Sequence, residues 1–283
     1  MDVSAEKAHK KKKVSVISMI FSILVGLLVG AAMVFLIIYL NHYEEPKELS
    51  ARIACAQAYP AEAMLVKETS PPTEATEPTT EPITYEMQID LQKVANYHAE
   101  NKEVMGWIYM PDTVVNYPIV QTYDNVYYMN RNWKGQYSYS GSIFADWRCL
   151  IDDSENSLLY GHNMGNGTMF HAIKYYKDEA WGLEHPYFEV ATLDKRFLYK
   201  VLSVNVLNGL EGADFEYWNC VNLNRREYEE FIANIRNSAE VWYGDDENLP
   251  EYGKNRIITL QTCNSGASDG IRCVLFAQCI GEY

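Results

Sequence analysis

The sequence predicts a mainly β domain, either a barrel or a sandwich. Three runs rich in β-branched and aromatic residues support this prediction: Phe197 to Leu207, Arg256 to Thr262 and Ile271 to Ile280. Gly, Asn and Asp separate the runs, as is usual between the short strands of such folds. With 283 residues, 48% of them hydrophobic, the chain is long enough to bury a sizeable core.

The N-terminal segment predicts a membrane anchor at residues 14–40. No charged residue occurs in this stretch, and a helix of its length, roughly 40 Å, exceeds the ~30 Å hydrocarbon core of a bilayer. Five lysines lie in residues 1–13, so the positive-inside rule places residues 1–13 in the cytoplasm and the remainder outside. A cleaved signal peptide is the alternative, with small residues at Ala54 to Ala56, but secretory apolar cores span only ~7 to 15 residues.

Residues 41–84 are predicted to be a disordered stalk. They contain few large apolar side chains, and the stretch from Glu68 to Pro82 is dominated by Glu, Thr and Pro. Such a composition buries too little surface to offset the entropy of ordering. The stalk either carries the following domain, residues 85–283, away from the membrane or is a simple spacer.

The charge of the chain argues against nucleic acid as a partner. The formal net charge is −14, and the part beyond residue 13 carries 19 basic and 36 acidic side chains. A surface of this sign repels phosphate backbones.

Three helices are predicted within the β domain. The first is short and amphipathic, with residues at helical spacing at Met87, Leu91, Val94 and His98. The second follows a cap at Thr168 and contains Phe170 and Ile173. The third runs from about Arg226 to Ser238, and its apolar face consists of Tyr228, Phe231, Ile232 and Ile235.

Cys263 is the candidate nucleophile. It ends the strand-like run TLQTC, and the polar loop Asn264 to Gly270 follows it, so a substrate can reach the thiol. A thiol attacks as the thiolate, which requires a base or a cation nearby. His162 follows another strand-like run, and Arg272 opens the strand after the loop, where a hairpin of this length returns its guanidinium alongside the thiol.

Each of these residues also has an ordinary interpretation. A cysteine at a strand end is usually a packed small hydrophobe, and a histidine in a Gly/Asn turn is usually solvated. His98 and His171 are equally eligible by residue type, and Arg272 alternatively pairs with Asp269 or lies on the surface. Spacing alone therefore leaves the three residues as a hypothesis.

The six cysteines have no CxxC or Cys/His spacing; they are Cys55, Cys149, Cys220, Cys263, Cys273 and Cys279. We therefore expect mostly free thiols and no zinc site. Cys273 and Cys279 share one strand face, where packing explains both. No acidic cluster suits calcium, and neither a metal nor an obligatory cofactor is expected.

Several motifs resemble those of the sortase family. Thr259 to Cys263 (TLQTC), followed nine residues later by Arg272, is similar to the sortase active-site signature TLxTC with a downstream Arg. Leu159 to Asn163 resembles the segment of the catalytic histidine. Further segments that resemble the family are Gly106 to Ile108, Asn116 to Gln121 and Gly141 to Asp146. Together these matches cover most of residues 85–283.

The resemblance implies a fold and a reaction. The implied fold is a closed eight-stranded β-barrel with an N-terminal helix and, as in class B sortases, an extra helix before the strand with the catalytic Cys. Cys263 would attack the carbonyl of Thr in an NPxTx or xPxTG sorting signal and form a thioester. His162 would act as acid and base, and Arg272 would stabilise the oxyanion. Thr262 is a candidate for substrate or oxyanion positioning, although a strand Thr that merely packs is the alternative.

The implied partners are a sorting-signal peptide and a peptidoglycan amine, with the membrane bound through residues 14–40 and the catalytic domain outside a Gram-positive cell. A papain-like protease is a rival, but its Cys would open a helix near the start of the mature chain. A non-enzymatic peptide- or glycan-binding domain, rich in its 22 Tyr and 6 Trp, is the other alternative.

Overall fold

The computed structural model describes residues 85–263 and 270–283, together with Val25, Gly30, Met33 and Val34, which are helical and exposed. The chain divides into two units at Pro78, and the described residues from 85 onward belong to the second, Thr79–Tyr283. Among the described residues, no helix has the length and apolar character needed to cross a membrane. Apart from the four residues named, the predicted segments 1–13, 14–40 and 41–84 lie outside the described part, and they stay predictions.

In the part of the chain that the structure describes, nine strands form one sheet. They are β1 (Val104–Tyr109), β2 (Asn116–Val120), β3 (Ile143–Ala145), β4 (Asn156–Tyr160), β5 (Tyr187–Ala191), β6 (Arg196–Asn208), β7 (Ala239–Trp242), β8 (Ile257–Cys263) and β9 (Ile271–Glu282). The order is β5-β1-β2-β3-β4-β8-β9-β6-β7, and β5 also pairs with β6. Eight strands therefore close into a barrel, as predicted. The ninth strand, β7, pairs with Ser203 to Asn205 in the second half of β6.

The long strand β6 is buried on both faces. Its inner face carries Tyr199 and Val201, which belong to the main core cluster inside the barrel. Its outer face carries Leu202 and Leu207, which pack in a second cluster with the helix that precedes β8. The near-continuous apolar run in the sequence follows from this double burial, since a strand with one solvated face alternates apolar and polar residues.

Within residues 85–263 and 270–283, three α-helices and three 3-10 helices accompany the barrel. The α-helices are α1 (Leu91–Glu100), α2 (Glu179–Glu184) and α3 (Arg225–Asn237), and the 3-10 helices are Tyr127–Asn130, Phe170–Lys177 and Tyr217–Asn219. Two sequence expectations are wrong in detail. Met87 lies before α1, which begins only after its cap at Asp90. Thr168 caps no helix, because its hydroxyl donates to Asn166 Oδ1 at 2.7 Å and Met169 precedes the 3-10 helix with a φ of 58°.

Helix α3 forms where the sequence predicts it. Asn224 and Glu227 make a reciprocal capping box that satisfies backbone N–H groups of the first turn. Its apolar face is buried as predicted, with Tyr228, Phe231, Ile232 and Ile235 all in the second core cluster. The helix thereby covers the outer face of β6 and β9.

The pairing of β4 with β8 decides where the functional residues meet. These strands are parallel, with Leu158 beside Thr259 and Tyr160 beside Gln261. Parallel neighbours end at the same edge of a sheet, whereas the antiparallel strand β9 begins at that edge. We call it the β4–β8 edge.

Candidate active site

Three of the residues singled out in the sequence lie on, or directly after, neighbouring strands at the β4–β8 edge. His162 follows the end of β4 at Tyr160. Cys263 ends β8, and the register places it opposite Arg272 near the start of β9. Because β4 pairs with β8 and β8 with β9, the fold brings His162, Cys263 and Arg272 to one edge.

A groove of about 230 Å³ opens at this edge. Its lining residues are Asn125, Met129, Phe144, Tyr160, Gly161, His162, Gln261, Thr262 and Arg272. The rings of Phe144 and Tyr160 stack with centroids 5.1 Å apart and give it an apolar floor. An apolar groove with a few polar groups at its margin is typical of a ligand site.

His162 is held across the groove by a backbone group. Its Nε2 lies 2.7 Å from the carbonyl oxygen of Met129. A carbonyl only accepts, so Nε2 carries the proton in this contact. The backbone of His162 is also fixed, because its carbonyl accepts from the N–H of Phe170 at 2.9 Å.

Only glycine fits immediately before His162. A Cβ at Gly161 would lie 2.5 Å from Cδ1 of Ile143 and 2.7 Å from the ring of Phe170. Glycine at this position therefore lets the backbone that carries His162 pass close to Ile143 and Phe170.

Arg272 lines the groove from β9. Its Nη1 donates to the carbonyl of Ile271 at 3.2 Å, and Gly209 packs so closely that a Cβ there would lie 2.7 Å from Cγ of Arg272. Of Cys263 the structure describes the backbone. The loop 264–269, with the alternative Arg272 partner Asp269, lies outside the described residues.

Thr262 joins β8 to the end of β4. It is 2% exposed, and its hydroxyl donates to the carbonyl of Gly161 at 2.7 Å. The hydroxyl oxygen still has lone pairs that a donor can use. The contact that is visible positions the backbone beside His162, and the substrate-positioning role stays a prediction.

Sequence reasoning missed a buried polar centre beneath the groove. Asp146 is 0% exposed and accepts hydrogen bonds from Asn125 and Tyr160, both of which line the groove. Burial alone would raise the pKa of Asp146, but hydrogen bonds from Arg148 and its charge outweigh burial and lower that pKa. The signal was present in the quoted segment Gly141 to Asp146, where an acidic residue directly follows a buried strand.

The remaining described cysteines are free thiols, as expected; they are Cys149, Cys220, Cys273 and Cys279. Burial raises the pKa of Cys149 to about 12 and that of Cys273 to about 11, so neither is a nucleophile at neutral pH.

No group of three or more His, Cys, Asp or Glu within the described ranges is arranged to hold a metal ion.

A larger, open cavity of about 520 Å³ lies at the opposite edge of the barrel, beside Arg256, which precedes β8. Its charged lining residues are Asp153, Glu155, Lys254, Arg256 and Glu282. Arg256 already donates to Glu282 at 3.2 Å. Size does not identify the functional site here, because the chemistry-bearing residues His162 and Arg272 line the smaller groove.

The β4–β8 edge has the groups that acyl transfer requires. A thiol supplies the nucleophile, an imidazole moves protons, and a guanidinium stabilises negative charge. The apolar groove beside them can exclude water from a bound acyl group.

Comparison with known proteins agrees with this arrangement. The family model of the sortase domain matches residues 108–280. Sortase B of Listeria monocytogenes serovar 1/2a is 31% identical over 177 residues, which are 62% of this chain and 66% of the relative. Sortase B of Staphylococcus aureus is 29% identical over 173 residues, which are 60% of this chain and 66% of that relative.

A solved structure agrees with the same assignment. The crystal structure of sortase B from Bacillus anthracis superposes with a TM-score of 0.55 at 32% identity, covering 65% of this chain and 82% of that one. The match spans slightly less than two thirds of the two curated relatives. All three similar proteins are sortases B, so the class B resemblance is confirmed. Since the family model covers more than half of its length, the chain belongs to the sortase family.

Proposed function

We propose that this chain is a membrane-anchored cysteine transpeptidase that cleaves a C-terminal sorting signal and joins the cleaved protein to an amine of peptidoglycan. One observation supports the proposal: the parallel pairing of β4 with β8, continued by β9, brings His162 and Arg272 to a single groove and puts the backbone of Cys263 opposite Arg272 at the same edge. The signal is of the NPxTx or xPxTG type, and cleavage follows its Thr.

The first half of the reaction forms a thioester. The Cys263 thiolate attacks the carbonyl carbon of the Thr, and a C–S bond forms. The C–N bond after the Thr then breaks, and His162 gives its proton to the departing amine. The enzyme is left with an acyl group on Cys263 and a neutral imidazole.

The second half reverses these roles. An acceptor amine attacks the thioester carbonyl, and His162 takes the proton that the amine loses. The new C–N bond forms as the C–S bond breaks, which restores the thiolate. The apolar floor formed by Phe144 and Tyr160 favours transfer over hydrolysis, because it limits water beside the thioester.

Arg272 stabilises the negative charge that develops on the carbonyl oxygen. The register places it opposite Cys263, and a guanidinium is a fixed, permanently charged fork of donors. A preorganised donor of this kind acts in the transition state more than in the ground state.

The proposed location follows from the sequence. An uncharged stretch at residues 14–40, preceded by lysines, anchors the chain with its N-terminus in the cytoplasm. The stalk of residues 41–84 carries the catalytic domain outside the cell, where a Gram-positive wall supplies the amine. No metal or cofactor takes part in the proposed reaction.

The test is a cleavage and transfer assay on the purified full-length chain. Quenched peptides with NPQTN, SPKTG or LPxTG are incubated with and without an amine acceptor, and products are identified by mass spectrometry. We expect one motif to be cleaved after Thr and joined to the acceptor, with activity lost in Cys263→Ala and His162→Ala. Cys279→Ser, at the far edge of the barrel, is the matched cysteine control and should keep activity.

Two results would contradict the proposal. Cleavage that never yields the amine product would identify a hydrolase instead of a transferase. Binding of a peptide without turnover, unchanged in Cys263→Ala, would support the non-enzymatic binding domain.

A further inference from the structure

Three polar residues of the groove are held by hydrogen bonds to a cluster of partly to fully buried groups. The residues are Asn125, Tyr160 and Gln261, and all three line the groove. They come from three different parts of the chain: the segment before a 3-10 helix, the end of β4 and the end of β8. The network that joins them is centred on Asp146 and Arg148.

The carboxylate of Asp146 holds two of the three residues. Its Oδ2 accepts from Asn125 Nδ2 at 2.9 Å and from the hydroxyl of Tyr160 at 2.9 Å. Arg148 supplies the fork that fixes this carboxylate, with Nε donating to Oδ1 at 2.8 Å and Nη2 donating to Oδ2 at 2.8 Å. The backbone N–H of Arg148 adds a further bond to Oδ1 at 2.9 Å. Asp146 is therefore saturated with donors and cannot rotate without breaking several bonds.

Arg148 extends the network to the third residue. The same guanidinium donates to the carbonyl of Trp218 and to Asn219 Oδ1, the latter at 3.2 Å. Both acceptors belong to the 3-10 helix Tyr217–Asn219. The hydroxyl of Tyr217, at the start of this helix, donates to Gln261 Oε1 at 2.7 Å. One arginine thus links the Asp146 side of the groove to the β8 side.

Stability alone does not explain this ion pair. The Asp146 side chain is 0% exposed and that of Arg148 is 27% exposed, and burying such a pair costs desolvation that apolar residues of similar volume avoid. What a buried ionic network does provide is a fixed direction for each donor and acceptor. Here the side chains that this ion pair orients, among them Asn125 and Tyr160, line the groove.

We propose that the ion pair between Asp146 and Arg148 is a positioning pair, which sets the orientation of the groove's polar side chains for an extended substrate peptide. The inference rests on the proposed function, since it names how that site recognises its peptide. The amides of Asn125 and Gln261 both line the groove. Their oxygens already accept from the N–H of Trp147 and the hydroxyl of Tyr217, so their remaining N–H groups hydrogen-bond the carbonyls of the peptide backbone. The ion pair acts through them and does not contact the reacting atoms.

The first test needs no substrate. In the full-length chain with ¹⁵N-labelled Asn and Gln, the side-chain amide signals of Asn125 and Gln261 are compared between wild type, Arg148→Met and the milder Arg148→Lys, which keeps the charge but lacks the fork. We expect both signals to move in both variants. The exposed pair Arg236 and Asp246, also joined through Nε at 2.8 Å, provides the matched control Arg236→Lys, which should move neither. A Gln261 signal unchanged in both Arg148 variants would overturn the inference.

The second test separates positioning from chemistry. For Asp146→Asn and Arg148→Lys we expect KM for the cleaved peptide to rise about tenfold while kcat stays within about threefold. The pH profile for alkylation of Cys263 by iodoacetamide should be unchanged. A shifted alkylation profile, or a fall in kcat with KM unaltered, would overturn the positioning role. If wild-type protein turns over no peptide, the proposed function fails, and the amide signals alone still decide whether the ion pair orients the groove.

Discussion

The hydroxyl of Thr262 donates to the carbonyl of Gly161 at 2.7 Å. A second bond, from the N–H of Gly161 to the carbonyl of Gln261 at 3.1 Å, joins the same two strand ends. Thr262 precedes Cys263 and Gly161 precedes His162, so these bonds set the relative position of the proposed nucleophile and the proposed acid and base. The arrangement gives Thr262 a structural task besides any contact with substrate.

Replacing Thr262 by Val should weaken both stability and catalysis. The variant keeps the shape of the side chain but leaves the Gly161 carbonyl without this donor, which costs about 1–3 kcal/mol of unfolding free energy. A small displacement of His162 relative to Cys263 should lower kcat/KM by about tenfold to a hundredfold. Urea unfolding and peptide cleavage measure the two effects. Thr262→Ser keeps the hydroxyl donor and should retain most of the unfolding free energy and of kcat/KM. Equal kcat/KM in Thr262→Val and wild type would contradict the positioning role of Thr262.

Replacing Gly209 by Ala should disturb the position of Arg272 and so weaken catalysis, although Arg272 itself is not mutated. A Cβ at this position would lie 2.7 Å from Cγ of Arg272, so Gly209→Ala must shift the stem of the Arg272 side chain, and we expect the guanidinium to move with it. We expect kcat for peptide cleavage to fall by up to about 10²–10³-fold, as when an oxyanion donor is lost. Gly165→Ala is the matched control, because a Cβ there has nothing within 4 Å. Normal kcat in Gly209→Ala would argue against a role for Arg272 in the transition state.

The sequence predicted elements whose burial leaves a clear pattern. The run from Phe197 to Leu207 is the core of β6, and the helix predicted from about Arg226 is α3, because one-sided or two-sided burial imposes a recognisable periodicity. The cap at Thr168 was wrong because its hydroxyl bonds Asn166 instead. The short helix α2, with Gly182 buried in its middle, has too few turns for any periodicity.

The periodicity of a sequence does not show which strands pair with each other. The parallel pairing of β4 with β8, which gathers the site, joins segments far apart in the chain, and only the family resemblance implied the closed barrel. Met129 could not have been connected with His162 from sequence, since it contributes a backbone carbonyl that any residue possesses. Asp146 was visible as an acidic residue after an apolar strand, but its partners Asn125 and Arg148 depend on the fold.

The buried cysteines should resist alkylation while the chain is folded. Burial raises the pKa of Cys149 to about 12 and that of Cys273 to about 11, so at pH 8 only about one Cys149 thiol in ten thousand is a thiolate. We expect iodoacetamide at pH 8 to leave both unlabelled in native protein and to label both in urea, as read by peptide mass spectrometry. Native labelling of Cys149 at the rate seen in urea would show that the barrel core opens readily.

The segment before α1 is fastened to the barrel by a buried carboxylate. Glu189 on β5 is 0% exposed, and its two oxygens accept from the N–H groups of Gln88 at 2.7 Å and Ile89 at 3.0 Å. Burial, with the nearby charge of Glu189, also raises the pKa of Tyr85 on this segment. The carboxylate therefore fixes the segment before α1 to the barrel.

Replacing Glu189 by Gln should loosen this attachment and leave the barrel intact. The glutamine amide has one acceptor oxygen, so it can accept from only one of the two backbone N–H groups. Its NH₂ group faces the other N–H and cannot accept a hydrogen bond. One charge-assisted bond worth about 1.5–3 kcal/mol is therefore lost. Hydrogen exchange at Gln88 and Ile89 should become at least about tenfold faster, while exchange within β6 stays unchanged. Glu86→Gln, at an exposed position of the same segment, is the control and should alter neither. Unchanged protection of Gln88 and Ile89 would mean that packing of Ile89 in the cluster around Val94 and Trp107, and not the carboxylate, holds the segment in place.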